Sequence, residues 1–160
     1  MSDAAQLQWH VRPARHGDVE AVAAAVRELL MELAGTCPAT PAMEAATRAL
    51  LEDGEAGALL LAEADDGTLV GVLAASWQIA IHVPGAHALI QDLWVHPSWR
   101  SKAIGAALIE AVVDLAREKG FKRLDVGLPL ESFSHFEATE AFYLTNGFTP
   151  NGPRMRRLLS

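Results

Sequence analysis

Arg100, Ser101 and Lys102, followed by the small residues Ala103, Gly105 and Ala106, form a group that can hold an anion. The first amides of a helix have no internal acceptor, and the helix dipole adds partial positive charge at that end. Little side-chain bulk lets a phosphate reach the backbone, while Arg100 and Lys102 add charge at the same point. Such a site needs a helix that begins there. Ile104, Leu108, Val112 and Leu115 recur three or four apart, with Glu110, Asp114, Arg117 and Glu118 between them. This spacing predicts an amphipathic helix that Gly120 ends. Upstream, Ala88 to Val95 is apolar and stops at the Pro97 turn, which predicts a strand. Strand, low-bulk turn and helix together point to a phosphate-bearing ligand, without saying which.

The 160 residues suit a single domain over 1–160. Just over half of them are hydrophobic and 21% are charged, an ordinary globular composition. No run approaches the roughly 20 apolar residues of a membrane span. The first twenty residues include Asp3, His10, Arg12, Arg15, Asp18 and Glu20, unlike a signal peptide. Cys37 is the single cysteine, which leaves no intrachain disulfide and fits a reducing cytoplasm. No His, Cys or carboxylate set has metal-ligand spacing. A net charge of −7 argues against general nucleic-acid binding. Residues 1–99 carry 4 basic and 13 acidic side chains, whereas 100–160 carry 9 and 7. A solvated acidic surface explains this. So does an anionic ligand on the second half with a cationic acceptor approaching the first.

In chain order, Gln8 to Pro13 reads as a short strand, and Asp18 as the N-cap of a helix striped by Val19, Val22, Val26, Leu29 and Leu33 and closed by Gly35. A second helix is expected from about Met43 to Leu51. Gly57 to Ala64 and Thr68 to about Ile81 read as strands joined at Asp65-Asp66-Gly67. His87 to Val95 completes an antiparallel meander. After the amphipathic helix, Lys122 to Gly127 should form a strand parallel to the one at Leu89, through a right-handed crossover. A short helix from Glu137 to Asn146 follows. Phe148 to Leu159 is expected to supply the last strand or strands.

With these elements placed, the chain resembles the GCN5-related N-acetyltransferase (GNAT) family over nearly its whole length. Arg100-Ser-Lys-Ala103-Ile-Gly105-Ala106 is similar to the family's acetyl-CoA motif, Gln/Arg-x-x-Gly-x-Gly/Ala, and Val95-His-Pro97 to its lead-in. Ala141-Phe142-Tyr143 through Gly147-Phe148 is similar to its Phe-Tyr-x-x-x-Gly-Phe signature, and Val11-Arg-Pro-Ala to Asp18 to many N-termini in the family. The resemblance implies an α/β three-layer fold. Its mixed, mostly antiparallel sheet has a V-shaped splay between two central parallel strands, and about four helices flank it. Two positions depart from the pattern. Ala103 stands where the family prefers glycine, and a helix-compatible backbone there would suit alanine. Phe136 stands where an Asn often makes a cofactor contact.

The resemblance further implies transfer of an acetyl group from acetyl-CoA to a primary amine by direct attack, with no metal. The backbone of Leu93, Trp94 and Val95 would pair with the pantetheine arm, and Arg100, Ser101, Lys102, Ala103, Ile104, Gly105 and Ala106 would hold the pyrophosphate. Tyr143, the one tyrosine of the chain, would protonate or hydrogen-bond the departing sulfur. Its competing reading is an aromatic packed beside Phe142. Asp92 is the candidate base. It alternates with Trp94, so both fall on one strand face. A structural Asp held by backbone amides is the other reading. Asp125 lies on the next strand, where some relatives place a catalytic glutamate, and Glu131 and His135 could border the acceptor. Trp77, Trp94 and Phe133 could line its pocket, with core packing the plainer role for the two tryptophans. Trp99 reads as packing. His82 and His87 read as ordinary surface histidines, and Arg154, Arg156 and Arg157 as a solvated terminal strand, with contact to the cofactor's 3′-phosphate or a partner as the other reading. The acceptor is expected to be a small cationic amine, the location cytoplasmic, and a homodimer compatible with the resemblance. An acyl-CoA-binding sensor or partner module with little turnover is the alternative.

Overall fold

A computed structural model describes residues 8–159. Five strands form one mixed sheet in the order β1-β2-β3-β4-β5: β1 Trp9–Pro13, β2 Gly57–Ala64, β3 Leu69–Ala80, β4 Gly85–Val95 and β5 Leu124–Val126. The first four pair antiparallel, and β5 runs parallel to β4, as the sequence predicts; the register sets Leu89 opposite Asp125. Four helices flank the sheet: α1 Val19–Ala34, α2 Thr40–Glu52, α3 Ile104–Glu118 and α4 Phe136–Thr145. No helix among the described residues is long and apolar enough to cross a membrane.

The layers follow from side-chain alternation along the strands. Leu60, Ala62, Leu73, Ala75 and Ile90 face α3, whose Ile104, Leu108, Ile109 and Val112 are fully buried against them. Each such side chain contributes about 1.5–3 kcal/mol by leaving water. Gly71 permits the close approach, because a Cβ there would come within 2.8 Å of Ile104 and 2.9 Å of Leu108. Phe142 and Tyr143 bring α4 to the same side. Leu59, Leu61, Val72, Ala74 and Trp94 face the other way, toward Val22, Ala25 and Val26 of α1.

Four local expectations change. Asp18 sits at the start of α1 but does not cap that helix with its side chain. Its carboxylate instead takes both Arg12 guanidinium nitrogens at 2.8 Å and the Arg15 N–H at 2.7 Å, tying β1 to α1. Helix α2 begins at Thr40, because Pro41 fits the first turn of a helix, where no N–H is needed. His87 is buried. No strand follows α4 among the described residues. Pro150 and Pro153 lack the donor that a ladder requires, and Gly152 adopts φ +83°, which turns the chain out of extended geometry.

Candidate active site

Two irregularities of β4 shape the site. The β4–β5 ladder covers only Ala88 to Ile90, because β5 is three residues long, so β4 runs on to Val95 with an open edge. This is the expected splay. At the same point the β3–β4 register slips: Ala75 opposes Ile90 and Ala74 opposes Asp92, leaving Gln91 as an extra residue, a β-bulge.

The bulge inverts everything after it. The Ala88 N–H donates to Arg123 of the β5 side, whereas the His96 N–H donates to Val70 on the β3 side. By alternation, Leu93 and Val95 turn their backbone groups into the open gap, and Trp94 turns its own toward β3. The Val95 carbonyl accepts the Arg100 Nε at 3.3 Å, in keeping with that direction. Side chains invert too. Ile90 faces α3, yet Asp92 and Trp94 share the α1 face, and Trp94 packs there among Val22, Leu61 and Val72.

Beyond Val95 the chain makes a short 3-10 turn, Pro97–Trp99, with His96 Nδ1 accepting the Ser98 N–H at 3.1 Å. Trp99 packs on the α3 side. Ser101 and Ala103 then both adopt left-handed backbone, with φ +67° and +62°. The expectation of a helix-compatible Ala103 is therefore corrected: Ala103 is the α3 cap in the conformation that favours glycine, because the chain must reverse sharply to start the helix. Left-handed residues alternating along a turn gather N–H groups into a concave anion nest. The amides of Ser101, Lys102 and Ala103 meet no acceptor among the described residues, and the first α3 amides join them. This geometry fits a pyrophosphate. The Arg100 guanidinium, however, is turned to Glu32 near the end of α1, at 3.0 Å. Lys102 is exposed.

Gly105 is buried, and a Cβ there would lie 3.0 Å from Phe142. Its smallness thus lets α4 lie against the start of α3. Tyr143 stacks edge-on between Phe142 and Phe148, with ring centroids 5.1 and 5.4 Å away. Burial pushes its phenol up to about 12, so it stays protonated.

On the α1 face, α1, α2 and β2 to β4 line an open-sided cavity of about 310 Å³. Val26 and Leu30, Met43 and Leu50, and Leu59 line it, and Asp92 is the one ionisable group on its wall among the described residues. No described residue hydrogen-bonds the Asp92 carboxylate or forms an ion pair with it, so backbone amides do not hold it. Burial pushes its pKa above the ordinary 3.8.

Other candidates lie elsewhere. Trp77 packs against Phe121, with ring centroids 5.4 Å apart, and Trp94 is core. Phe133 and Glu131 line a separate polar concavity with Glu137 and Glu140, and His135 stacks on Phe133. Phe136, the first residue of α4, borders that concavity as well. His82 is exposed, as expected of a surface histidine. His87 is not: it is 8% exposed, and its Nε2 lies 3.7 Å from Asp125, which also pairs with Arg123 at 2.8 Å. The β4–β5 register places Asp125, which alternates with the inward Leu124 and Val126, on the face of His87. Arg154, Arg156 and Arg157 are exposed but not in a strand.

Comparison with known proteins agrees with this architecture. Residues 23–148 match the family model "Acetyltransferase (GNAT) family". No curated protein matches the sequence. Among solved structures, the chain is similar to a possible acetyltransferase from Clostridium difficile 630, with 17% identity, 97% of this chain and 99% of that one covered, and a TM-score of 0.80. It is similar to an integron cassette protein from the mobile metagenome of Cole Harbour Salt Marsh, with 28% identity, coverage of 94% and 88%, and a TM-score of 0.73. The aminoglycoside antibiotic 6'-N-acetyltransferase of Acinetobacter baumannii shares 15% identity, with coverage of 96% and 100% and a TM-score of 0.73. With the nest, the splayed strands and the family match in one chain, this protein belongs to the acetyltransferase (GNAT) family.

Proposed function

We propose that this protein, as one catalytic domain over residues 1–160, transfers an acetyl group from acetyl-CoA to a small primary amine in the cytoplasm. The observation that carries this reading is the shared end of β4: the nest at Ser101 to Ala106 lies beyond it, the open gap runs along it, and Asp92 hangs from its opposite face. The nest amides would hold the pyrophosphate. Leu93 and Val95 would pair with the pantetheine arm, and one of their amides would polarise the thioester oxygen. Trp94 contributes side-chain packing there, since its backbone turns toward β3.

Asp92 accepts a proton from the incoming ammonium, directly or through water, which leaves a nucleophilic lone pair on nitrogen. That lone pair forms the C–N bond as the C–S bond breaks, and the acylated nitrogen gives its remaining extra proton to water, leaving a neutral amide. Tyr143 gives its phenolic proton to the departing sulfur and is reprotonated from solvent. A phenol held at about 12 is fully protonated at neutral pH, as a donor must be.

Thiol release from acetyl-CoA across a panel of amines tests the reading. We expect turnover with some primary amine and a loss of about 10²-fold or more in kcat in Tyr143→Phe. Full rate in Tyr143→Phe at every pH removes Tyr143 as the acid. Calorimetric binding of acetyl-CoA with no turnover across the panel makes the protein an acyl-CoA-binding module instead.

A further inference from the structure

The walls of the α1–α2 cavity say what kind of amine fits. Several of its polar groups other than Asp92 are already engaged within the protein. The Thr47 hydroxyl donates to the Met43 carbonyl at 2.8 Å. The Ser76 Oγ accepts the side-chain amides of Gln78 and Gln91, each at 2.9 Å. What remains is apolar wall from Val26, Leu30, Met43, Leu50 and Leu59, and one carboxylate with no partner.

A partly buried carboxylate without a cation is costly unless a ligand supplies one. A second charge or a set of hydroxyls laid against these walls would meet no partner there and would lose part of its hydration. The volume of about 310 Å³ lies at the small end of ligand sites, which run from about 300 to 1,000 Å³. At about 30 Å³ per water-sized group, it holds a body of roughly ten non-hydrogen atoms.

We infer that the acceptor is a primary monoamine with an uncharged, apolar body, its ammonium seated at Asp92 and its aliphatic or aryl-alkyl part in the cavity between α1 and α2. This rests on the acetyl-transfer reading and narrows its acceptor. Polyamines, amino sugars and phosphorylated amines are excluded by the same walls. Selection comes from the penalty on the wrong body, because the amine end is the same in all of them.

Hexylamine and 1,5-diaminopentane make a sharp test, since they have the same number of non-hydrogen atoms and differ in whether the far end is methyl or ammonium. With acetyl-CoA saturating, kcat/KM for hexylamine should exceed that for 1,5-diaminopentane by about 100-fold, and 2-phenylethylamine should exceed glucosamine similarly. Equal or reversed preference overturns the inference while leaving acetyl transfer intact. Ala46→Phe narrows the cavity from an exposed position on α2. It should cut kcat/KM for 2-phenylethylamine about 10-fold and spare ethylamine; an unchanged value for 2-phenylethylamine overturns the placement. Should no amine release thiol, the acetyl-transfer reading fails by itself. Calorimetry of hexylamine with the protein then decides the cavity: binding lost in Asp92→Asn supports it, and no binding overturns it.

Discussion

The two faces of β4 present different chemistry. Toward α3, the Arg100 to Ala106 turn offers backbone: two left-handed residues and a set of amides without acceptors, with Arg100 itself drawn away to Glu32. Toward α1, the cavity offers side chains: apolar walls and the single carboxylate of Asp92. A backbone site tolerates changes of side chain so long as the chain still makes the turn. A side-chain site fails with one substitution. The fixed partner belongs at the backbone face and the selected partner at the side-chain face, because only side chains differ freely from one sequence to the next.

Asp92→Asn should break the side-chain face most, lowering kcat/KM for the best amine by about 10²–10⁴-fold, measured by thiol release. The same variant should be more stable at neutral pH. Burial raises the Asp92 pKa in the folded state, so the folded protein binds that proton more tightly than the unfolded chain. The carboxylate therefore costs nothing well below the unfolded value, and the cost grows as pH rises through the folded one. Asn removes it, so Tm at pH 7 should rise by on the order of 2 °C while the difference disappears in acid. A lower Tm for the variant would mean that the carboxylate has a partner. Catalysis by wild type should show an acid limb above pH 3.8 that Asp92→Asn lacks, and no alkaline limb from Tyr143 below about pH 11.

Next in size, Gly105→Leu should destabilise the fold by about 1–3 kcal/mol, because its side chain meets Phe142. Urea denaturation measures this. Adding Phe142→Ala should restore part of the loss, and the absence of any restoration would show that Gly105 is needed for something other than room beside α4. Ala103→Gly tests the backbone face directly. It relieves a left-handed alanine, so we expect a gain of about 1 kcal/mol and an acetyl-CoA KM no higher than wild type. A loss of stability would mean that the turn is not strained. The smallest effect belongs to Arg100→Ala. Its partly exposed pair with Glu32 is worth about 0.5 kcal/mol, and a larger loss would show that the guanidinium also braces the Val95 carbonyl.

The backbone face was the more legible in the sequence. Apolar spacing from Ile104 to Leu115, the Pro97 stop and the run of small residues put a strand, a turn and a helix in order, the order on which the proposed anion site rests. Helix and strand periods are local properties, so the meander, α1, α3 and the parallel β5 were all readable. The cavity was not, because its walls come from α1, α2 and three strands that only the fold brings together.

The sequence by itself determined which residues form the elements, their order, and that Asp92 and Trp94 share a face, since a two-residue period needs no partner. Tertiary structure alone decided which face. The extra residue at Gln91 exists only as a mismatch between β3 and β4, and no property of β4 alone records it. The same holds for His87, buried beside Asp125 by a neighbouring strand, and for Ala103, left-handed where the turn passes from β4 into α3. After α4, the prolines and Gly152 prevailed over the expected final strand, since a ladder needs donors and extended backbone. Local periodicity fixes what a segment is. Pairing fixes where its side chains point, and the chemistry of this protein depends on that direction.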